Sequence, residues 1–545
     1  MQSRLQLFRS RSGSLSAKAV FADKSFRHLH SLVEPEAEAD LYDGLEWFGG
    51  LVVFAGIGLG YHVARLLGSL PDRTRCVVID YYPECVTRAR EVLFAGKSNP
   101  VFFVSAQDPA AKRDELIRFV NSSPGETIQI VRHPASYDIN RDFYDPVLDE
   151  IAGRFLAARP ALASAAQTVL LCHGDFFLEE ELRRALATAG CKPVAFRYKE
   201  YQSGMQFEAE FLRSVQEHRP AFILSVNMKG FDGEGMLGRI ASRFSIPVAV
   251  WFVDDPRPIL LSHRKHIPAN AVAFCWERTY LSLLRKEGFA RAEYLPLAGD
   301  PVMFSGRPPD TATTPLGFVG TAMVDRLAGN IREKFLWSDS LSPLVDVLSH
   351  RLLAEPALDV YASIGPVSKT LHAVLPFSDE RNTTWLCAYI THFASMLKRK
   401  SAVGALLSQG IQTFGDPEGW RELLGSALAT HPNIDYRHDL AAAYRAITVN
   451  VNITSCQMPS AVNQRVFDIP LTSSFVLSDR QADLAELFDS DEVATYGSIE
   501  ELAEKAAFYA EHQTDRKRIV EKAAVRIREE HTYEHRVKVI LAALT

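Results

Sequence analysis

The chain has 545 residues, of which 47% are hydrophobic and 23% charged, and its formal net charge is −6. At about one domain per 150 residues, this length predicts three or four globular domains. The small negative charge gives no reason to expect a polyanionic partner, so nucleic-acid binding is not favoured.

Three features of the composition bear on the cellular compartment. The first twenty residues contain four basic residues, several serines and no acid, as organellar transit peptides do, but we prefer to interpret them as a frayed N-terminus. Seven cysteines without a CxxC pair fit a reducing compartment and argue against a structural zinc site. With no secretory signal and no run of roughly 18 apolar residues, we expect a cytoplasmic protein without a transmembrane segment.

Short apolar runs recur along almost the whole chain, for example LVVFAG (51–56), TVLLC (168–172) and LGFVG (316–320). Segments with helical spacing, such as EEELRRALATAG (179–190), lie between most of these runs. Strands that are buried on both faces have this pattern. It therefore predicts an α/β fold with parallel sheets covered by helices on both sides.

Three units are predicted along the chain, at 1–165, 166–307 and 316–545. The linker before the third unit is GRPPDTATTP (306–315), because it contains three prolines and no apolar periodicity. Within the third unit, the stretch from 326 to 408 is mostly helical in pattern, and the last forty residues predict two amphipathic helices.

In the first unit, a strand runs into Gly56, Gly58 and Gly60, which open a helix, and the next strand ends in Asp80. Tight-turn glycines followed about 20 residues later by an acid for ribose are typical of dinucleotide-binding folds. The turn also resembles motif one of S-adenosylmethionine methyltransferases. A glycine-rich fold without a working cofactor site is the alternative.

In the second unit, polar side chains follow two predicted strands. His173 and Asp175 come after the strand at 168–172, and Asp255 is the second acid of WFVDDP (251–256). Ligands of open α/β sheets bind beyond the carboxyl ends of the strands, so these three residues are candidates for general acid–base work. A turn histidine and a helix-capping acid are the alternatives.

In the third unit, Gly320 ends a strand and lets a backbone approach a bulky group closely, while Arg326 is a nearby cation for a diphosphate. A helix starting shortly after Gly320 would turn its free amides towards the same group. Asn463, Arg465 and Asp468 lie near the start of another short helix, where Arg465 would meet phosphate and Asp468 would accept hydrogen bonds from ribose. A turn glycine, solvated arginines and an N-cap are the alternatives.

The run from Tyr444 to the C-terminus resembles the glycosyltransferase domain of the CgeB-like (spore-maturation) proteins. The matching segments are NVNIT (450–454), RVFD (465–468), FVLSD (475–479), LFDSDEVATYGSIEEL (487–502) and HTYEHR (531–536). IQTFGDPEGW (411–420) and AFCWERTYLSLLRKEGFARAEYLPLAGDPVMF (273–304) are similar to other parts of that family, so the resemblance covers most of 168–545.

This resemblance implies a GT-B fold, with two Rossmann-like lobes facing a cleft, preceded here by an additional Rossmann-like domain. It implies a metal-independent transferase that requires no cofactor and holds a nucleoside-diphosphate sugar on the C-terminal lobe. Three positions depart from the family pattern. Asp468 replaces the usual Glu, Ala461 stands where many retaining enzymes have an acid, and Ser473 starts the pair that replaces two glycines.

HSLVEPEAEA (30–39), just upstream of the glycine turn, is similar to a segment of the Maf-type flagellin-glycosylation proteins, which are bacterial. This resemblance implies a protein Ser or Thr acceptor, for example on flagellin, with a surface glycan as the alternative. Our leading hypothesis is therefore sugar transfer to a hydroxyl. The competing hypotheses are an S-adenosylmethionine or NAD enzyme centred on Gly56–Asp80, and a non-catalytic glycosylation or assembly factor.

Overall fold

The computed structural model describes residues 3–123, 126–155, 167–201, 203–305 and 313–544. The chain divides into two compact units. One consists of Met1–Gly174, Lys192–Ile223 and Gly230–Val248, and the other of Asp175–Cys191, Leu224–Lys229 and Ala249–Thr545.

The chain begins with a small antiparallel sheet. Its strands, in the order β1-β2-β3, are β1 Ser3–Arg9, β2 Leu15–Phe21 and β3 Phe26–His28. The prediction of a frayed N-terminus is therefore wrong. The sequence gives little sign of these strands because most β1 side chains are exposed or half-buried and the apolar residues alternate with polar ones.

A four-stranded parallel sheet follows in the order β6-β5-β4-β7. Its strands are β4 Leu51–Ala55, β5 Arg75–Asp80, β6 Val101–Ser105 and β7 Ile128–Arg132. Its helices are α1 Tyr61–Leu66, α2 Pro83–Arg88, α3 Ala110–Asn121, α4 Pro134–Ile139 and α5 Arg141–Phe155. Strands β4, β5 and β7 are buried along their whole length, as predicted from sequences that are apolar in β4 and mostly apolar in β5 and β7.

The middle sheet has six strands in the order β13-β12-β11-β10-β8-β9. The strands are β8 Thr168–Cys172, β9 Lys192–Phe196, β10 Phe222–Val226, β11 Val248–Phe252, β12 Ala271–Cys275 and β13 Arg291–Tyr294. Its helices are α6 Glu179–Thr188, α7 Gly204–His218, α8 Met236–Arg243, α9 Pro256–His263 and α10 Leu281–Lys286.

The third α/β sheet lies wholly in the second unit and has the order β16-β15-β14-β17-β18-β19. Its strands are β14 Thr314–Val319, β15 Gln412–Phe414, β16 Ala429–His431, β17 Ile447–Asn452, β18 Val476–Asp479 and β19 Ala494–Tyr496, and all pairings are parallel. This is the Rossmann order 3-2-1-4-5-6, in which the strand order reverses between β14 and β17. Ligands of such sheets bind at that point.

Between β14 and β15 lies a helical insertion formed by α11 Ser342–Ala354, α12 Val360–Thr370 and α13 Glu380–Ala405. Asp379 caps α13, since its side chain accepts a hydrogen bond from the amide of Asn382. The inner faces of the three helices share an apolar core that includes Leu348, Ile364 and Ile390. The prediction of a mostly helical stretch is confirmed.

The remaining helices of this lobe are α14 Pro417–Leu424, α15 Leu440–Ala446, α16 Arg465–Leu471, α17 Leu484–Leu487, α18 Ile499–Glu511, α19 Gln513–Glu530 and α20 Tyr533–Leu544. The chain therefore ends in three helices rather than the predicted two, because α19 stops at Glu530 and α20 starts at Tyr533. None of the described helices is both long and apolar enough to cross a membrane.

The α/β class, the Rossmann-like lobes and the additional N-terminal Rossmann-like sheet are confirmed by these strand orders. The linker predicted at 306–315 lies mostly outside the described residues. The domain boundaries at 165, 307 and 316 stay predictions.

Candidate active site

The switch point of the third sheet brings Gly320 and Arg465 together. Gly320 directly follows β14, and Arg465 is the first residue of α16, which comes after β17. The Arg465 Nε donates a hydrogen bond to the Val319 carbonyl at 3.1 Å. A Cβ atom added to Gly320 would lie 3.1 Å from an Arg465 guanidinium nitrogen and 2.9 Å from the Phe318 ring, so a larger residue here would displace the ends of both side chains.

Three arginines meet near this point. Arg399 of α13 is 6% exposed and donates to the Thr321 carbonyl at 2.7 Å, and its Nε has no partner. Burial, then the charges of Arg465 and Arg326, lower the pKa of Arg399 to about 9. Within the described part of the chain, none of the three makes a salt bridge with a carboxylate. Of the three, only Arg399 is buried, whereas Arg465 is half-buried and Arg326 exposed. A buried guanidinium without a salt bridge is costly, so this cluster is a candidate anion site.

The sequence analysis predicts that free backbone amides near Gly320 face an anion, but two of these amides bind other groups of the protein. The Gly320 amide donates to the Phe414 carbonyl at 2.9 Å, and the Ala322 amide donates to the Asp416 side chain at 3.0 Å. These two amides are therefore occupied within the protein. The arginine side chains are the remaining candidate donors to an anion at this position.

A pocket of about 250 Å³ lies beside Arg326, and all the residues that line it belong to the second unit. The loops after β10 and β11 form one wall, and α13 with the turn after β14 forms the other. The lining residues are Phe176, Asn227, Lys229, Asp254, Asp255, Pro258, Ile259, Arg326, Ile331, Trp385, Ala388, Thr391, His392 and Gln457.

Asp254 is the acid that Asn227 holds in this pocket. Asn227 accepts a hydrogen bond from the Val253 amide at 2.8 Å, and its Nδ2 donates to Asp254 Oδ2 at 2.8 Å. Asn227 and Met228 both have left-handed backbone conformations, with φ of 53° and 54°, which asparagine adopts readily but which is strained for methionine. Burial raises the pKa of Asp254, and the charge of Arg326 opposes the rise.

Asp255, predicted as a catalytic acid, caps α9, and its Oδ1 accepts a hydrogen bond from the Arg257 amide at 3.0 Å. Burial raises its pKa, and Arg257 opposes the rise. His173 is buried in the first unit, whereas Asp175 is exposed at the start of the second. Neither is among the residues that line the pocket, and the catalytic roles of all three stay predictions.

Two other predicted donor residues are buried. The Asn463 Nδ2 donates to Asn452 Oδ1 at 2.8 Å, so this amide continues the polar end of β17. Asp468 is 2% exposed, and its Oδ1 has no hydrogen-bond partner. Burial and the nearby acids Glu181 and Asp300 raise the pKa of Asp468 well above its ordinary value. Its role towards ribose stays a prediction.

The glycine turn of the first unit is closed by its own chain. Gly56, Gly58 and Gly60 all have positive φ, as the tight turn requires. Asp80 Oδ2 accepts hydrogen bonds from the amides of Ile57 and Gly58, at 2.7 and 3.0 Å. Its other oxygen accepts from Tyr82 at 2.9 Å.

His30 completes this closure. The Leu59 amide donates to His30 Nε2 at 2.8 Å, and His30 Nδ1 contacts Glu38 at 2.7 Å. His30, Glu38 and His133 are also the one group in the described chain with metal-ligand proximity. Because His30 Nε2 accepts an amide proton, Nδ1 carries the ring hydrogen and donates it to Glu38. This tautomer fits a hydrogen-bond network rather than a metal ligand.

The sequence analysis does not single out four residues of the candidate site. They are Asp254, which is the acid in the pocket, its partner Asn227, and His392 and Arg399 on α13. Asn227 directly follows a buried apolar run, which was a usable signal. The two α13 residues lie at helical spacing within an apolar stripe. Their sequence pattern does not show whether they face the core, the solvent or a pocket, which depends on how the helix packs.

Two α/β lobes, each with a six-stranded sheet, and a pocket lined by loops of both define the GT-B class of architecture. Residues 395–542 match a family model described as "Glycosyl transferase-like". This match confirms the glycosyltransferase prediction for that part of the chain, which contains Arg399, Arg465 and Asp468. The CgeB-like and Maf-type resemblances stay predictions. No curated protein sequence matches the chain.

Solved structures of glycosyltransferases are similar to the chain at low identity. Sucrose-phosphate synthase from Thermosynechococcus elongatus has 12% identity and a TM-score of 0.42, over 69% of this chain and 98% of that one. Anabaena Alr3699/HepE in complex with UDP has 10% identity and a TM-score of 0.39, over 70% and 99%. A glycosyltransferase from Rickettsia africae has 10% identity and a TM-score of 0.40, over 70% and 98%. TM-scores this low do not by themselves establish a common fold.

Proposed function

We propose that the protein transfers a sugar from a nucleoside-diphosphate donor to a hydroxyl acceptor. The observation that carries this proposal is the cluster of Arg326, Arg399 and Arg465, which makes no salt bridge with a carboxylate in the described residues. The cluster lies at the switch point of a Rossmann-ordered sheet, where nucleotides bind in open α/β folds. Its positive charge matches a diphosphate, which supplies the missing counter-charges.

Transfer requires a base for the acceptor hydroxyl and stabilisation of the leaving group. Asp254 takes the hydroxyl proton as the acceptor oxygen bonds to the anomeric carbon and the bond from that carbon to the diphosphate oxygen breaks. Its raised pKa brings a carboxylate closer to the range in which a general base works well. The arginines stabilise the negative charge that develops on the diphosphate, so the reaction needs neither a metal nor a further cofactor.

The acceptor is a protein Ser or Thr hydroxyl, as on flagellin, or a surface glycan. This part of the proposal rests on the Maf-like segment at 30–39, and it places the reaction in the bacterial cytoplasm. The closed glycine turn does not favour a cofactor enzyme in the first unit, because Asp80 and His30 already occupy the amides that a pyrophosphate would use.

Calorimetry with UDP, GDP and dTDP tests the donor site. One of them should bind, and at about 100 times its dissociation constant it should stabilise the protein by roughly 2.7 kcal/mol. Arg465→Ala should weaken binding at least tenfold. Arg445→Ala is the matched control, because Arg445, on helix α15, donates to the Ser305 carbonyl and its replacement should leave binding unchanged. Binding of none of the three nucleotides, or equal binding by Arg465→Ala, would refute the proposal.

A further inference from the structure

One face of α13 runs from the pocket to the arginine cluster. Trp385, Ala388 and His392 line the pocket, and Ser395 and Arg399 continue the same stripe at intervals of three and four residues. His392 and Arg399 are seven residues apart, which is about 10 Å along a helix axis. One rigid helix therefore presents a polar group to the pocket and a cation to the anion site.

His392 has an unused hydrogen-bond acceptor. The residue is 6% exposed, and its Nδ1 donates to the Ala388 carbonyl at 2.8 Å. This bond fixes the tautomer, so Nε2 carries no hydrogen and can only accept. Nε2 is buried and has no partner among the described residues.

Charge keeps the ring in this state. Burial, then Arg326, lower the pKa of His392 to about 4, and Arg399 acts in the same direction. The imidazole is therefore neutral near pH 7. Leaving a buried acceptor unsatisfied is costly in a folded protein, and a hydroxyl on a bound molecule would relieve that cost.

We infer that His392 Nε2 accepts a hydrogen bond from a hydroxyl of the transferred sugar, and that it thereby selects donors with a hydroxyl at that position. This inference rests on the proposed function. His392 lies on the same helix as Arg399, which is proposed to bind the diphosphate. His392 is therefore placed to contact the sugar that is attached to that diphosphate. Asp254, from the opposite wall, serves the acceptor.

The inference is tested by comparing sugar nucleotides with bare nucleotides. The dissociation constants of UDP-glucose, GDP-mannose and dTDP-glucose are measured against those of UDP, GDP and dTDP. Wild type should bind at least one sugar nucleotide more tightly than its nucleotide. In His392→Phe this advantage should fall five- to tenfold while the bare nucleotide binds as before, and His392→Gln should recover part of it.

Thr391→Val is the matched control. Thr391 also lines the pocket, but its hydroxyl already donates to the Cys387 carbonyl at 2.9 Å, so the sugar advantage should not change. A deoxy analogue of the preferred donor should lose affinity in wild type and lose nothing further in His392→Phe. If wild type binds nucleotides but no sugar nucleotide better, or if His392→Phe keeps the full advantage, the inference is wrong and the nucleotide site stands. If no nucleotide binds, the proposed function fails with it.

Discussion

Replacing Arg399 by Met should make the unliganded protein more stable and the nucleotide complex weaker. A guanidinium whose pKa is about 9 instead of the ordinary 12.5 carries its charge in the folded protein at a cost of roughly 5 kcal/mol. Methionine removes that cost and fills similar space. It also removes the hydrogen bond to the Thr321 carbonyl, which is worth about 1.5–3 kcal/mol. The net expectation is a gain of roughly 2–3.5 kcal/mol.

Binding should change in the opposite direction. A charge-assisted interaction with an anion contributes about 1.5–3 kcal/mol, so the nucleoside diphosphate should bind roughly 10- to 150-fold more weakly. Denaturation followed by scanning fluorimetry measures the first effect, and calorimetry measures the second. A variant that is less stable and binds the nucleotide normally would show that Arg399 is a structural residue, and the assignment of the anion site would be wrong.

The control for this prediction is Arg243→Met. The Arg243 side chain is buried to a similar degree, but it makes salt bridges with Asp145 at 2.9 Å and Asp149 at 2.6 Å in the first unit. Removing a paired buried guanidinium leaves its carboxylates without a counter-charge. This variant should therefore lose stability and keep its nucleotide affinity. Comparing it with Arg399→Met separates the effect of removing any buried guanidinium from the effect of removing one without a salt bridge.

Three further predictions follow from the same geometry. Asp254→Asn should abolish transfer and leave nucleotide binding unchanged. In wild type, kcat/KM should rise with pH through a pKa above the ordinary carboxyl value of 3.8, since only the deprotonated acid accepts a proton. A kcat/KM that does not change with pH on the acid side would contradict this. Gly320→Ala should weaken nucleotide binding at least tenfold, because its Cβ would lie 2.9 Å from the Phe318 ring and 3.1 Å from Arg465, and normal affinity by calorimetry would contradict it. S-adenosylmethionine and NAD should not change the melting temperature, and a shift with either would favour a cofactor-dependent enzyme in the first unit. Asp80→Ala should destabilise the first unit, because three amides lose their acceptor.

The α/β sheets were predictable because their strands are buried on both faces, which leaves continuous apolar runs in the sequence. The short strands β16 and β19, and β1–β3, were not, because three-residue or partly exposed strands leave no such run. The proximity of Gly320 and Arg465 was predictable for a geometric reason. Each follows a parallel strand, and the carboxyl ends of parallel strands meet at one edge of the sheet.

The different surroundings of Asp254 and Asp255 were not predictable, because the side chains of neighbouring residues after a strand diverge according to the local turn. In the structure, the second acid caps the next helix and the first one meets Asn227. His392 and Arg399 pose a different problem. A polar residue within a helical stripe has the same sequence pattern in a core, on a surface or in a pocket, and tertiary packing alone decides which of these it is.

The two glycine-containing turns differ in the charge of their unsatisfied groups. His62 Nε2, on the helix after Gly60, is a neutral atom without a partner, whereas a buried guanidinium makes no salt bridge near Gly320. Around Gly58, the loop amides, Asp80 and His30 satisfy one another, so a cofactor would have to break existing bonds to enter. Around Gly320, an unpaired guanidinium and a histidine nitrogen without a partner remain buried. Left-handed residues such as Met323 and Asp416 add strain in the adjoining loops. Since such costs are relieved when a ligand satisfies these groups, they are the physical basis for proposing that a substrate binds at the second turn.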